Sequence, residues 1–296
     1  MRIFKIGLIP LVFCCILFFS TAPLNSCTKT ETIHDTVKIT IRDTIIKKDT
    51  VTVIDSSNCN CYNLKDGLVA WYNFNNATLK DSSGNNNHIS FSNATATTDR
   101  FGKANNAFLF NGTSSYMRVE NSVSLNPANN NISLMAIVYI KGFYAGNCNA
   151  NQIFGKGYND FINGFYYLRF GSVTGCGNPV DPNRELFGGA YGDNNKRTDV
   201  GLVNAPGNYI QANTWYNLIY TVENGVSKIY LNGVLKNTNT LNAANILFTP
   251  NSQEMYIGKH GDPNYPYSFN GIIDEVRIYN RALCQGEVNQ LNNLKQ

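Results

Sequence analysis

The chain has 296 residues, and 43% of them are hydrophobic, which is enough apolar material for one large core. Only 15% are charged, against roughly 25% in an average globular protein, and the net charge of +4 is not concentrated in any run of Lys and Arg. Composition therefore gives no sign of a basic surface patch that would bind nucleic acid. An excess of Asn and Gly beside 17 Tyr and 17 Phe favours strands joined by tight turns over helices.

The N-terminus has the form of a secretory signal, predicted over residues 1–26. Two basic residues precede an apolar run, Ile6 to Phe19, that is too short for a comfortable membrane span, which needs ~20 apolar residues. The sequence LNSC at residues 24–27 resembles a bacterial lipobox, although Asn25 departs from the small or aliphatic residue usual there. The resemblance implies lipidation of Cys27 and a cell-envelope lipoprotein, at the outer membrane or cell surface. The alternative is a simple secretory signal with an incidental cysteine.

A stalk is predicted over residues 27–61, between the lipidated cysteine and the domain that follows. Residues 28–57, TKTETIHDTVKITIRDTIIKKDTVTVIDSS, alternate β-branched and polar side chains around a degenerate Asp-Thr-Val/Ile repeat. That alternation is the period of an extended strand, and such a segment cannot bury a core of its own. A disordered linker is the alternative interpretation.

Five cysteines remain beyond the signal and the lipidation site, and outside the cytoplasm cysteines in polar loops usually pair. Cys148 and Cys176 lie in Gly/Asn-rich loops on either side of one segment, so we predict a disulfide between them. We predict that Cys284 pairs with Cys61 or Cys59, which ties the two ends of the domain together and leaves one odd thiol. Zinc is the weaker alternative, because Cys59 and Cys61 lack the two-residue spacing of common zinc sites.

Residues 62–296 are predicted to form one domain of short strands. The pair Asn-Gly, the strongest short-range hairpin signal, recurs five times. Strands are predicted at GLVAWYNF, AFLF, YMRV, SLMAIVYIKG, FYYLRFG, WYNLIYTV, SKIYL, MYIG and NGIIDEVRIY, and a helix in the tail GEVNQLNNLKQ. Many antiparallel strands without a second break in composition predict an all-β fold, an antiparallel two-sheet sandwich of jelly-roll type.

A series of motifs along this domain resembles a bacterial laminin-G-like domain of the concanavalin A-like lectin/glucanase fold. The motifs are GLVAWYNF (67–74), DSSGNNN (81–87), AFLFNG (107–112), WYNL (215–218), KIYLNG (228–233), MYIG (255–258) and GIIDEVRIYNRAL (271–283). No single motif is specific, but the series covers most of residues 62–296 in the right order. The resemblance implies two packed antiparallel sheets whose first and last strands lie side by side.

Adjacent first and last strands imply that the loop of Asp81 lies near Asp274. Calcium takes six to eight oxygen ligands, and Asp81, Asn87 and Asp274 supply three, so a structural calcium site is expected. The alternative is that Asp274 accepts hydrogen bonds from a buried donor or from the backbone of a turn. Strand alternation predicts that Glu275 faces away from Asp274 and pairs with Arg277, two residues on.

Catalysis is not predicted, although the fold includes glycoside hydrolases. Retaining glycosidases need two carboxylates ~5 to 5.5 Å apart. The glucanases of this fold place theirs as Glu-x-Asp-x-x-Glu on one strand, and this series does not occur in the sequence. The sequence also lacks Gly-x-Ser-x-Gly, His-Glu-x-x-His and a Gly-rich phosphate loop.

Binding is the remaining class of function, and carbohydrate sites combine aromatic faces with a few polar groups. The loops Lys259–Tyr267 and Lys156–Asp160 are the richest of this kind, and two prolines in the first are expected to hold Tyr265 and Tyr267 outward. The candidate ligand-binding residues are Tyr265, Tyr267, His260, Asp262, Tyr158 and Asp160. We expect the loops to converge at one rim and to bind a glycan. A cell-surface protein partner, and then a glycosidase, are the alternatives, and a well-packed surface loop without a ligand is equally compatible.

Overall fold

In the computed structural model, the described residues are 63–126, 130–144, 150–158, 162–172, 184–193, 197–202, 210–240 and 248–294. Every described element belongs to one compact unit, Asn60–Gln296. Within the described ranges, no helix is long and apolar enough to cross a bilayer.

Part of what the sequence predicts lies outside these ranges. This holds for the lipidation site, the stalk, four of the predicted disulfide cysteines and one loop aspartate: Cys27, residues 28–61, Cys59, Cys61, Cys148, Cys176 and Asp160.

Fifteen strands and one α-helix are formed within the described residues. Their bounds are β1 Leu68–Tyr72, β2 Ile89–Ser92, β3 Thr95–Thr97, β4 Ala107–Asn111, β5 Met117–Val119, β6 Ile132–Gly142, β7 Asn151–Lys156, β8 Tyr166–Ser172, β9 Arg184–Ala190, β10 Val200–Gly201, β11 Thr214–Glu223, β12 Val226–Leu231, β13 Val234–Thr240, β14 Met255–Ile257, β15 Asn270–Tyr279 and α1 Gln285–Asn292.

The strands form two sheets, which confirms the predicted fold class. The first sheet has the order β13-β12-β11-β6-β15-β4-β3, with β1 also paired to β15, and the second has the order β10-β9-β8-β7-β14-β5-β2. Every one of these pairings is antiparallel.

The main core lies between the two sheets. Because side chains alternate along a strand, every second residue of each inner strand points inward. Leu218, Tyr220 and Val222 of the first sheet meet Tyr166 and Leu168 of the second in one buried cluster.

A second, smaller cluster lies on the outer face of the first sheet, where the predicted tail helix packs. Val288 and Leu291 of α1 contact a group of buried residues that includes Tyr230. The helix begins with a capping box, in which the Glu287 carboxylate accepts a hydrogen bond from the Cys284 backbone N–H at 3.0 Å. The Cys284 thiol is free and half-buried, and its predicted partner lies outside the described residues.

Strand β15 holds the first sheet together. Along one edge it pairs with β6 over most of its length. Along the other edge, Asn270–Ile273 pairs with β4 and Val276–Tyr279 pairs with β1, so the first and last strands lie side by side as the family resemblance implies. The partner changes at Asp274, where the register with β6 also shifts.

Candidate functional site

The outer face of the second sheet carries the aromatic side chains of the candidate site. On β8, Tyr166 and Leu168 point into the core, so Tyr167 and Arg169 face outward. Tyr167 packs with two other outward aromatic residues in a cluster separate from the main core: Phe165 and Tyr191. The Arg169 guanidinium lies 4.1 Å from the centroid of the Tyr167 ring, a cation–π geometry.

The predicted loop Lys259–Tyr267 packs on this face. The His260 ring centroid lies 5.8 Å from that of Phe165 and 5.3 Å from that of Tyr267. The Tyr267 ring also lies 5.9 Å from the Arg169 guanidinium. The loop therefore extends the aromatic cluster across the outer face of the sheet.

The two predicted loops converge, as expected from the sequence. Gly261 approaches the other loop so closely that a Cβ there would stand 2.7 Å from the carbonyl oxygen of Gly157 and 2.9 Å from the Cβ of Tyr158. Only glycine fits this contact. Tyr158 and Tyr265 remain 51% and 43% exposed, so one tyrosine from each loop is available at this rim.

Two predicted ligand-binding residues are buried instead of being presented to solvent. Tyr267 is 8% exposed and His260 is 4% exposed. The expectation that both loop tyrosines point outward agrees with the exposure of Tyr265 and is wrong for Tyr267. Tyr267 adopts a left-handed backbone with φ of 41°, and its carbonyl accepts a hydrogen bond from the Gln152 N–H at 2.7 Å. The sharp reversal of the chain turns this ring onto the sheet.

Asp262 shapes the loop from within. One of its carboxylate oxygens accepts a hydrogen bond from the Asn264 N–H at 2.8 Å, and its backbone carbonyl accepts one from the Tyr265 N–H at 3.2 Å. An aspartate that bonds the backbone two residues on fixes a turn locally. Asp262 therefore sets the position of the exposed Tyr265.

Sequence reasoning did not single out Arg169, Phe165, Tyr167 or Tyr191. A signal for three of them, Phe165, Tyr167 and Arg169, was present in the predicted strand FYYLRFG. In a strand with one buried face, alternation places Tyr167 and Arg169 on the same side. Which side faces the core depends on the partner sheet, and the sequence alone does not reveal that.

The predicted metal ligands Asp81 and Asn87 form a hydrogen-bonded loop network. One oxygen of Asp81 accepts hydrogen bonds from the N–H groups of Trp71 and Ser83, at 2.9 and 2.8 Å. The other oxygen accepts from the Ser83 hydroxyl at 2.8 Å and from the Asn87 N–H at 3.0 Å. The carboxylate thus accepts four hydrogen bonds, three from its own loop and one from Trp71 of β1.

Asp274 is paired with a cation. Its Oδ2 accepts hydrogen bonds from Nη1 of Arg100 at 2.6 Å and from the Arg100 backbone N–H at 3.3 Å. Burial raises the pKa of Asp274 from 3.8 to about 6, because loss of water outweighs the opposing effect of the Arg100 guanidinium. Within the described residues, no group of three or more His, Cys, Asp or Glu side chains is arranged to hold a metal ion. Asp81 and Asp274 each bind hydrogen-bond donors of the protein itself, and the shared calcium site of Asp81, Asn87 and Asp274 stays a prediction.

Glu275 pairs with Arg277, as predicted. Glu275 Oε1 lies 2.6 Å from Nε and 2.5 Å from Nη2 of Arg277, and it also accepts a hydrogen bond from the indole N–H of Trp71 at 2.8 Å. The register of β15 with β6 shifts between Ile273 and Glu275, at Asp274. Both carboxylates lie near one guanidinium, because Arg100 Nη1 is 2.6 Å from Asp274 and 3.9 Å from Glu275.

Solved structures with a similar fold include several binding domains. The binding domain of Paraclostridial Mosquitocidal Protein 1 has a TM-score of 0.57 and 20% identity, and the match covers 78% of this chain and 53% of that one. The binding domain of botulinum neurotoxin DC, solved with rat synaptotagmin II, has a TM-score of 0.56 and 16% identity, with 78% and 52% covered. The chain thus spans about half the length of the toxin domains it matches.

A third similar structure comes from a bacterial arabinanase. Domain 4 of AbnA, a GH43 extracellular arabinanase from Geobacillus stearothermophilus, was solved in complex with arabinotriose. Its TM-score is 0.50 and its identity 24%, and the match covers 76% of this chain and 98% of that one. At such identities the likeness shows a common fold. No curated protein matches the chain.

Residues 111–289 match the Laminin_G_3 family, described as the concanavalin A-like lectin/glucanases superfamily. This match covers more than half of the 296 residues and includes β5 to β15, and therefore most strands of both sheets. The protein belongs to the Laminin_G_3 family of the concanavalin A-like lectin/glucanases superfamily.

Proposed function

We propose that the protein is a non-catalytic carbohydrate-binding protein whose site is the rim formed by Tyr158 and Tyr265. The observation that carries this proposal is the pair of exposed tyrosines, supplied by two loops that touch at Gly261. Aromatic rings stack against the C–H surfaces of sugars, and nearby polar groups such as Asp262 fix orientation.

The rim rests on a rigid support, which favours binding. Tyr265 lies on a loop whose backbone is held by Asp262, and the neighbouring Tyr267 and His260 pack into the aromatic cluster of the sheet. Groups already held in position lose little conformational freedom when a ligand binds. The similar arabinanase domain, solved with arabinotriose, supports a sugar as the ligand class.

Changing Tyr158 and Tyr265 together to alanine is expected to weaken glycan binding more than about tenfold, because exposed aromatic anchors supply much of the energy at such sites. The full chain is applied to a glycan array, and positive sugars are then titrated by calorimetry. The matched control is Phe101→Ala, which removes an exposed aromatic ring from a loop beside the first sheet and is expected to bind normally. Wild-type affinity in the double variant would contradict the site. A blank array for the wild type would favour a protein partner.

We also propose that the chain is anchored to the cell envelope through a lipid on Cys27. The proposal rests on the signal-like N-terminus and on LNSC at residues 24–27. Stable anchoring needs more than one acyl chain, and bacterial lipoproteins carry more than one. Radiolabelled palmitate is expected to enter the wild type but not Cys27→Ser. Equal labelling of both proteins would show that Cys27 is not the anchor.

A further inference from the structure

A second group of aromatic side chains lies on the outer face of the second sheet. Tyr256 of β14 is directly opposite Arg118 of β5, and Arg118 is opposite Phe91 of β2, so all three face outward. The ring centroids of Phe91 and Tyr116 are 4.9 Å apart, and those of Tyr116 and Tyr256 are 6.2 Å apart. Phe91 is 38% exposed, which leaves one ring of this group open to solvent.

Lys259 places its ammonium group over these rings. The nitrogen lies 3.7 Å from the centroid of Tyr116 and 5.0 Å from that of Tyr256. Lys259 is also the first residue of the loop that carries Tyr265. The second aromatic group and the tyrosine rim are therefore joined by one short loop.

The charge of Lys259 has no carboxylate partner among the described residues. Arg118, the neighbouring cation, is paired with two acids, Glu120 at 3.1 Å and Glu254 at 3.5 Å. Lys259 lies over the two tyrosine rings and forms no salt bridge among the described residues, and Glu254 attracts its charge without such a contact. An ammonium group held over aromatic faces is stabilised by the ring quadrupoles, but this does not replace a counter-ion.

Partial burial disfavours the charged form of Lys259. Burial lowers the pKa of Lys259 and outweighs the opposite effect of Glu254. An anion bound at the ammonium would favour the charged form and would gain a charge-assisted hydrogen bond. The site is thus suited to a ligand that combines a negative charge with an apolar surface for stacking on the rings.

We propose that Lys259, Tyr116 and Tyr256 form a second sugar subsite, which takes a sugar unit bearing a carboxylate or a sulfate group. The ammonium binds the acidic group, and the sugar ring stacks on the aromatic group that includes the exposed Phe91. This inference rests on the proposed carbohydrate-binding function and narrows its ligand to an acidic glycan. A glycan of several units reaches both this subsite and the Tyr265 rim.

The test uses the full chain in affinity electrophoresis through gels that contain one polysaccharide each. The probes are polygalacturonate, which carries carboxylates, chondroitin sulfate, which adds sulfates, and the neutral carboxyl-reduced form of polygalacturonate. Lys259→Met keeps the apolar stem over the rings and removes the charge, and Lys259→Arg keeps the charge. Lys259→Gln is a second neutral variant if Lys259→Met does not fold.

The wild type is expected to be retarded by at least one acidic polysaccharide and less by the neutral one, and the effect should weaken with added salt. Lys259→Met should bind the acidic probe about tenfold or more weakly, while Lys259→Arg retains most of the binding. Comparison of the retardation in the two acidic gels shows whether the subsite prefers a carboxylate or a sulfate group.

Two results would overturn the acidic subsite alone. They are equal retardation of Lys259→Met and wild type by the acidic polysaccharides, and wild-type binding to the neutral polysaccharide that equals or exceeds binding to the acidic ones. In both, the Tyr158 and Tyr265 variant still loses binding, so the proposed function stands. No retardation of the wild type by these gels, together with a blank glycan array, would overturn both proposals.

Discussion

Glu275→Ala is expected to lower the free energy of unfolding by about 3 to 5 kcal/mol. The Glu275 carboxylate is buried, and its Oε1 receives two N–H groups of Arg277, at 2.6 and 2.5 Å, and the indole N–H of Trp71 at 2.8 Å. Removal of this oxygen leaves the equally buried Arg277 guanidinium without its counter-ion. A buried charge without a counter-ion lowers the free energy of unfolding by much more than the intact ion pair adds to it.

Urea unfolding of three variants measures this effect. Replacing both partners, as Glu275→Ala with Arg277→Met, is expected to recover much of the loss, because a buried ion pair is often no more stabilising than apolar residues. The matched control is Glu120→Ala, which breaks the solvent-exposed pair with Arg118 and should cost less than about 1 kcal/mol. A double variant that is as unstable as Glu275→Ala would refute the uncompensated charge as the cause.

Stability is expected to fall as the pH rises from about 4 to 6, through the contribution of Asp274. Burial raises the pKa of this carboxyl from 3.8 to about 6 in the folded protein. Well below pH 4 it is protonated in both folded and unfolded chains, whereas well above pH 6 the folded chain must bury a carboxylate. The unfolded chain releases its proton first, so the free energy of unfolding decreases across this interval, by about 2 to 3 kcal/mol.

Other carboxyl groups titrate in the same interval. The measured quantity is therefore the difference in the free energy of unfolding between the wild type and Asp274→Asn at each pH. Wild type and Asp274→Asn are unfolded in urea at several pH values between 4 and 7. The wild type should lose stability relative to Asp274→Asn as the pH rises. Arg100 lies at the surface side of the pair and can turn to water in the variant. A constant difference between the two proteins at every pH would show that Asp274 titrates normally.

The long inner strands of the first sheet could be predicted from sequence because their residues alternate and extend over many positions. WYNLIYTV and SLMAIVYIKG became β11 and β6.

Strand β9, RELFGGA, was not predicted, because two of its residues are glycines. A Cβ on Gly188 would stand 2.5 Å from the Tyr220 ring, which comes from the opposite sheet. That packing constraint links residues distant in sequence and leaves no local pattern.

The site could be predicted only in part for a similar reason. The composition of its loops identified Tyr158 and Tyr265, which are exposed. It did not reveal that Tyr267 has a positive φ, because bulky residues rarely adopt that conformation. The surroundings of Asp274 were also hidden, since they depend on the point where β15 exchanges β4 for β1 as its partner.

The position of β15 also determines when the chain can fold during synthesis. The strand that joins β6 to β4 and β1 is the last one to leave the ribosome. Until residues 270–279 have been made, the first sheet exists at most as three separate parts with unpaired edges: β13-β12-β11-β6, β4-β3 and β1 alone. Pairings between residues so far apart in sequence form slowly. Pairing of β15 is therefore the step that completes the first sheet, and until then the unpaired strand edges are open to association with other chains.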